Sequence, residues 1–205
     1  GLMNYPFRTA LIAYLRGGDA DDFRETLEAL RENYPPEAFL SLMNFLGTHD
    51  TPRILTLLGA DRTPDTKAER ASYRLLPRER AAGIAKLRLA ALVLFTFPGS
   101  PMIYYGDEAG VCGWTDPDNR RTFPWGKEDL ELTEFHRYLT GIRNRTSVFR
   151  RGAFKPLLAE NGMIAYGRFD ADEQGVVVVN SEDYAQRVRI PVWEAEVTAD
   201  AMVRV

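Results

Sequence analysis

The sequence predicts an α/β fold followed by a short β-rich region, and three observations carry that prediction. Two short apolar runs, Leu42 to Leu46 and Pro101 to Tyr105, each end in a glycine and an acid, as Gly47-Thr48-His49-Asp50 and Gly106-Asp107-Glu108. Around them lie segments whose apolar residues recur at helical spacing. From Arg150 onward the period changes to short strand-like runs separated by Asn-Gly, Asp-Ala-Asp and Ser-Glu-Asp turns. Alternating strand and helix followed by strands alone reads as α/β first and all-β second.

The elements follow in order. Gly1 to Pro6 reads as the end of a strand entering a helix, and a chain that begins there is expected to be part of something longer. Pro6 suits a first helical turn, where no amide is needed, and Phe7, Ala10, Leu11, Tyr14 and Leu15 make one apolar face. Gly17-Gly18 stops that helix. Asp19 caps a second one, with Asp22 at the capping-box position and Phe23, Leu27 and Leu30 as its stripe, and Pro35-Pro36 ends it. A short helical piece through Phe39 leads into the strand Leu42 to Leu46. Ile54 to Leu58 reads as one or two helical turns closed by Gly59. Ala60 to Leu76 is polar and reads as a surface excursion. Pro77 opens a long helix from Arg78 to about Phe97, apolar at Ile84, Leu87, Ala91 and Phe95, which Pro98-Gly99 breaks. After the second strand, Trp114 to Trp125 is long and rich in Asp, Asn, Arg and Pro, the mark of a functional loop. Leu132 to Phe149 reads as a closing helix, with His136 exposed on it. Met163 to Phe169, Gly175 to Asn180 and Arg187 to Val192 are the expected strands of a small antiparallel sheet.

Composition narrows the function. The 205 residues are 45% hydrophobic and 27% charged, with a formal net charge of -3. That offers no basic field for a phosphate backbone, so no nucleic acid partner is expected, and a neutral substrate fits better. The single cysteine, Cys112, rules out an internal disulfide and a thiolate metal site, and leans the compartment toward the reducing cytoplasm. The apolar run Leu89 to Pro98 is far short of the roughly 20 residues a membrane span needs, so no membrane partner is expected. There is no internal repeat at solenoid spacing.

In a barrel of alternating strands and helices, the residues just past a strand's C-terminal end line the active-site mouth. His49 and Asp50 therefore read as site residues. A capping role for Asp50, ahead of Thr51-Pro52, and an ordinary loop role for His49 compete with that reading. Arg53 could reach Asp50 or a ligand hydroxyl through its fork of donors, or make a surface ion pair. Asp107 and Glu108, adjacent on an extended segment, point to opposite faces and cannot address one bond, so both read as structural. Tyr104, Tyr105, Trp114 and Trp125 could stack on a ligand, although such aromatics more often pack.

Four ordered motifs resemble the α-amylase family of glycoside hydrolases, in its neopullulanase and cyclomaltodextrinase branch. They are Met3-Asn4-Tyr5-Pro6-Phe7, Phe45-Leu46-Gly47-Thr48-His49-Asp50-Thr51, Pro98-Gly99-Ser100-Pro101-Met102-Ile103-Tyr104-Tyr105-Gly106-Asp107-Glu108, and Asp116-Pro117-Asp118-Asn119-Arg120-Arg121 with Pro124-Trp125. The resemblance implies the C-terminal part of a (β/α)8 TIM barrel, about strands 6 to 8, in residues 1–149. It implies a small antiparallel β-sandwich-like domain, shorter than the family's, in residues 150–205. It further implies cleavage of α-1,4 or α-1,6 glucosidic bonds with retention of configuration.

Retention needs a nucleophile and an acid about 5 to 5.5 Å apart. In the family these lie on the fourth and fifth strands, so the chain is expected to be a fragment that does not cleave glycosides by itself. By the same resemblance Asp50 matches the carboxylate that stabilises the transition state, and His49 a histidine that bonds the central sugar. Asp116 and Arg120 match a loop closing the glycone end of the cleft, their alternative being a solvated turn with a local salt bridge. A non-catalytic, amylase-like carbohydrate-binding or assembly subunit is the competing reading. No metal or other cofactor is expected in this chain, family calcium sites lying mostly elsewhere. The expected partners are an α-glucan oligosaccharide and, because half a barrel leaves open strand edges, a second copy of the chain.

Overall fold

The computed structural model describes residues 2–198 and Val203. Asn4 accepts the Phe7 amide and Pro6 occupies the first turn of α1 (Tyr5–Leu15), which buries Phe7, Leu11, Tyr14 and Leu15. Asp19 accepts the Asp21 amide at the start of α2 (Ala20–Asn33), whose buried stripe includes Phe23, Leu27 and Leu30. The single turn α3 (Pro36–Phe39) leads into β1 (Met43–Phe45). Then come α4 (Ile54–Gly59), α5 (Lys67–Ser72), α6 (Pro77–Thr96) and β2 (Ser100–Met102). α5 lies in the segment expected to be irregular; Thr66 and Glu69 form its capping box, which makes a short helix out of a polar stretch.

β1 and β2 pair in parallel, with Met43 opposite Ser100 and Phe45 opposite Met102. Met3 makes a parallel bridge to Met43 on the other side of β1, so the chain does open on a strand end running into a helix. Helices connect each parallel segment to the next, the arrangement of βαβ units. Two buried asparagines cross-tie the layer. Asn4 Nδ2 donates to Asn44 Oδ1 at 2.8 Å, and Asn44 Nδ2 donates to the Pro98 carbonyl at 2.7 Å.

The expected closing helix is two helices, α7 (Leu130–Arg145) and α8 (Ser147–Arg151), separated at Thr146. His136 is not exposed as expected. It is 4% accessible, with Nδ1 2.9 Å from the Leu132 carbonyl and its ring edge-on to Phe95, because α7 turns this polar stretch onto α6.

The antiparallel sheet has the order β3 (Ala153–Glu160), β4 (Met163–Phe169), β5 (Gln174–Asn180). β3 was not expected as a strand. Its Pro156 is tolerated because β3 is an edge strand with a register shift between Pro156 and Leu158. Arg187 to Val192, expected as a strand, is irregular and passes into a 3-10 turn over Val192–Ala195. Alternation alone does not make a strand: this segment pairs with none of the described strands, and Pro191 removes a donor. The three strands are the only antiparallel sheet among the described residues.

One buried cluster contains Phe7, Leu11, Phe39 and Phe97 from the helical layer together with Phe154, Ile164, Tyr166 and Val177 from the sheet. Arg168 is completely buried at this junction and donates to the carbonyls of Gly152, Ala153 and Thr96. Arg143 donates to the carbonyls of Phe95, Phe149 and Gly99. Between them the two arginines satisfy carbonyls at the C-terminal end of α6, where cations are favoured.

Candidate active site

β1 ends at Phe45, and the chain turns at once. The Thr51 amide donates to the Thr48 carbonyl at 3.2 Å, the Thr48 amide to Thr51 Oγ1 at 2.9 Å, and the Asp50 amide to Thr48 Oγ1 at 3.2 Å. These internal bonds close a four-residue turn and leave its two central residues facing outward. The side chains of His49 and Asp50 are accordingly 65% and 63% exposed, with His49 Nε2 3.3 Å from Asp50 Oδ2. Asp50 is not a helix cap, since the N-cap of α4 is Arg53.

Arg120, at the end of a 3-10 turn over Asp118–Arg120, reaches this turn across 70 residues of sequence. Its Nε donates to the His49 carbonyl at 3.1 Å and lies 3.6 Å from Asp116 Oδ1, and its Nη2 lies 3.6 Å from Asp50 Oδ1. So His49, Asp50, Asp116 and Arg120 do converge, as one exposed cluster in which a cation bridges two carboxylates. Its groups stay half in solvent, so each ion pair holds little energy of its own and can be exchanged for a ligand hydroxyl.

Arg53 does not join them. Its side chain is fully buried rather than at the surface, and Nη1 donates to Asp107 Oδ1 at 3.2 Å and to the Tyr105 carbonyl. Its guanidinium lies 4.1 Å from the Tyr104 ring centre and 4.7 Å from that of Tyr105. The cause is backbone direction: the Arg53 amide bonds the Gly113 carbonyl at 2.9 Å, α4 starts there, and the side chain turns under the loop instead of over it. Asp107 is therefore a structural partner, packed so close to Gly47 that a Cβ there would lie 2.6 Å from Asp107 Oδ2. Burial pushes the Asp107 carboxyl up to about 7, against the opposing pull of Arg53.

Asn119, which the sequence did not single out, binds the backbone of this turn. It is completely buried, and Nδ2 donates to the carbonyls of His49 at 2.7 Å and Thr51 at 2.9 Å. Trp114 packs edge-on to Tyr73 and is buried, whereas Trp125 is 82% exposed beside Phe123. Burial also holds the Cys112 thiol above its ordinary range, which fits an unreactive side chain. No group of three or more His, Cys, Asp or Glu among the described residues is arranged to hold a metal ion, and no described helix is long and apolar enough to cross a membrane.

Residues 1–199 match the family model of the α-amylase catalytic domain. The chain belongs to the α-amylase family. An amylopullulanase of Thermoanaerobacter thermohydrosulfuricus is 36% identical over 208 residues, covering 90% of this chain and 14% of that protein. Neopullulanase 2 of Thermoactinomyces vulgaris is 34% identical over 200 residues, covering 95% of this chain and 30% of the relative. These relatives put this α-amylase family member in the neopullulanase and cyclomaltodextrinase branch. A debranching enzyme from Nostoc punctiforme superimposes with a TM-score of 0.74 at 30% identity, over 88% of this chain and 36% of that structure. The fold is thus an α/β unit consistent with part of the family's barrel, and the chain spans under a third of the curated relatives named here.

Proposed function

We propose that this chain supplies one wall of a site that cleaves α-1,4 or α-1,6 glucosidic bonds in maltodextrins or related glucans. The observation that carries the proposal is the Thr48–Thr51 turn, which holds His49 and Asp50 together and exposed past the end of a parallel strand, with Arg120 bridging toward Asp116. Leu2–Met3, β1 and β2 are read as the sixth, seventh and eighth barrel strands. Residues 150–205 are read as the start of a further β domain.

The chemistry follows from charge. Cleavage of a glycosidic bond builds positive charge at the anomeric carbon, and a carboxylate fixed beside it lowers the barrier more than the same group in bulk water. Asp50 has that role here, with no proton to transfer. His49 donates to a hydroxyl of the same sugar and keeps the ring against Asp50. Arg120 and Asp116 bind a sugar farther along the glucan, Arg120 through its remaining donors. Retention of configuration requires a nucleophile and a proton donor as well, and in this reading both come from outside residues 1–205, so the isolated chain binds glucan without cutting it. Relatives named amylopullulanase and neopullulanase, at 36% and 34% identity, support an α-glucan as the substrate class.

The test is Asp50→Asn in the full-length protein, assayed on maltodextrin, cyclodextrin and pullulan. Removal of the charge without change of shape is expected to lower kcat roughly 100-fold or more. Undiminished activity would remove Asp50 from the chemistry. Glucan binding with no cleavage by the unsubstituted full-length protein would favour a binding subunit instead.

A further inference from the structure

We propose that Asn119 is the positioning residue of this site: by gripping the backbone of the His49–Asp50 turn it sets where both side chains stand. The proposal rests on the functional reading above and adds to it a residue that touches no sugar.

The geometry is specific. Asn119 sits in the loop carrying Asp116 and Arg120, has no exposed surface, and sends both hydrogens of Nδ2 into the turn, to the His49 carbonyl at 2.7 Å and the Thr51 carbonyl at 2.9 Å. Since both partners are acceptors, only the amide nitrogen can face them, which fixes the orientation of the side chain. Its Oδ1 is buried with no hydrogen-bond partner, so the side chain's hydrogen bonds all go to the turn. The turn's internal bonds use the amides of Thr48, Asp50 and Thr51 and the Thr48 carbonyl, leaving the Thr51 carbonyl to Asn119 and the His49 carbonyl to Asn119 and, at 3.1 Å, Arg120 Nε.

A second fastening makes the grip rigid. The Gly113 amide donates to Thr56 Oγ1 and the Gly113 carbonyl accepts from Arg53, each at 2.9 Å. A Cβ at Gly113 would lie 2.1 Å from the Asp118 carbonyl oxygen, so only glycine allows the two ends of this loop to meet. The loop is thereby pinned beneath α4 at one point and beneath the turn at the other. Displacing the turn by an ångström would move the Asp50 carboxylate off the charge it has to face, a shift of the kind that can cost roughly 100-fold in rate.

The test compares Asn119→Ala and Asn119→Asp in the full-length protein. Asp keeps the shape of Asn but turns two attractive contacts into repulsion between oxygens, whereas Ala deletes them. A positioning role expects kcat to fall in the order Asn, Ala, Asp, by roughly tenfold and then roughly 100-fold, with KM changed far less. A role in packing alone expects the reverse, Asp near wild type and Ala impaired.

An independent readout uses the 205-residue chain, which has two histidines. In both variants the imidazole resonances of His49 should move while those of His136, which packs on α6, stay. Unchanged His49 resonances in both variants, or an Asp variant as active as wild type, would overturn the proposal. If Asn119→Asp fails to fold, Asn119→Ala read by the same two measurements decides. Full activity of Asp50→Asn would instead defeat the functional reading, and the resonance shifts would still report whether Asn119 holds the turn.

Discussion

Replacing Arg53 by methionine tests whether the floor of the site depends on a buried charge pair. Met keeps an unbranched stem against the rings of Tyr104 and Tyr105 but removes the guanidinium that donates to Asp107 Oδ1 and the Tyr105 carbonyl. Both partners are buried, with side-chain accessibilities of 0% and 5%. Breaking a buried pair by removing one member leaves an uncompensated charge, which costs about 3–5 kcal/mol. For a chain of this size that is a fall in Tm of roughly 6–20 °C.

The size of the loss should depend on pH, because Asp107 can escape its isolation by taking a proton. In the wild type its folded pKa of about 7 lies above the ordinary 3.8. Between those values the folded state keeps a proton that the unfolded state has released, so stability falls as pH rises through this window and is level on either side. Removing Arg53 deletes the main favourable partner of the carboxylate, leaves Arg8 farther off and Glu108 repelling, and pushes that pKa higher still. Urea or thermal unfolding at pH 5 and pH 8 should therefore show a loss in the variant that is larger at the higher pH by up to about 1.4 kcal/mol, the work of keeping the carboxyl protonated one pH unit above its wild-type value. Other titrating groups cancel in that difference. The double variant Arg53→Met, Asp107→Asn should recover much of the loss at pH 8. An equal loss at both pH values, with no recovery in the double variant, would refute the argument.

Glu79 is buried and accepts from the amides of Leu76 and Asp61 and from the Tyr73 hydroxyl, so Glu79→Ala should cost about 2–4 kcal/mol in urea unfolding; a loss below about 0.5 kcal/mol would show those donors rehydrate freely. Burial lowers the pKa of His136, so its imidazole resonance should titrate below the ordinary 6.5, and its contribution to stability should be complete above that pH and decline as pH falls; a midpoint at or above 6.5 would contradict its packed position. Leu2, Met3, Tyr5, Ile103 and Tyr105 are exposed on or beside the parallel strands, so the isolated chain should self-associate as concentration rises; light scattering from a monomer at high concentration would count against it.

What could be read in the sequence and what could not divides by the range of the interactions. α1, α2, α6 and β4 were legible because their signals are local: caps, prolines and a period of 3.6 or 2 within a single segment. β3 was obscured by Pro156, which only its edge position excuses, and Arg187 to Val192 had the alternation of a strand without a partner to pair with. His136 misled because its sequence neighbours are polar while its spatial neighbour, Phe95, is 41 residues away in the chain.

The same division runs through the site. The sequence by itself determined the family, the parallel strands with their helices, and the placing of His49 and Asp50 just past a strand, since motif order and strand-end position are one-dimensional facts. Only the tertiary structure decided that Arg53 turns inward to Asp107, that Arg120 reaches across to Asp50, and that Asn119 holds the turn beneath them. Each of those contacts joins residues more than 50 positions apart. No local period or spacing encodes such pairings, because the folded backbone, and not adjacency along the chain, sets which side chains are within reach of one another.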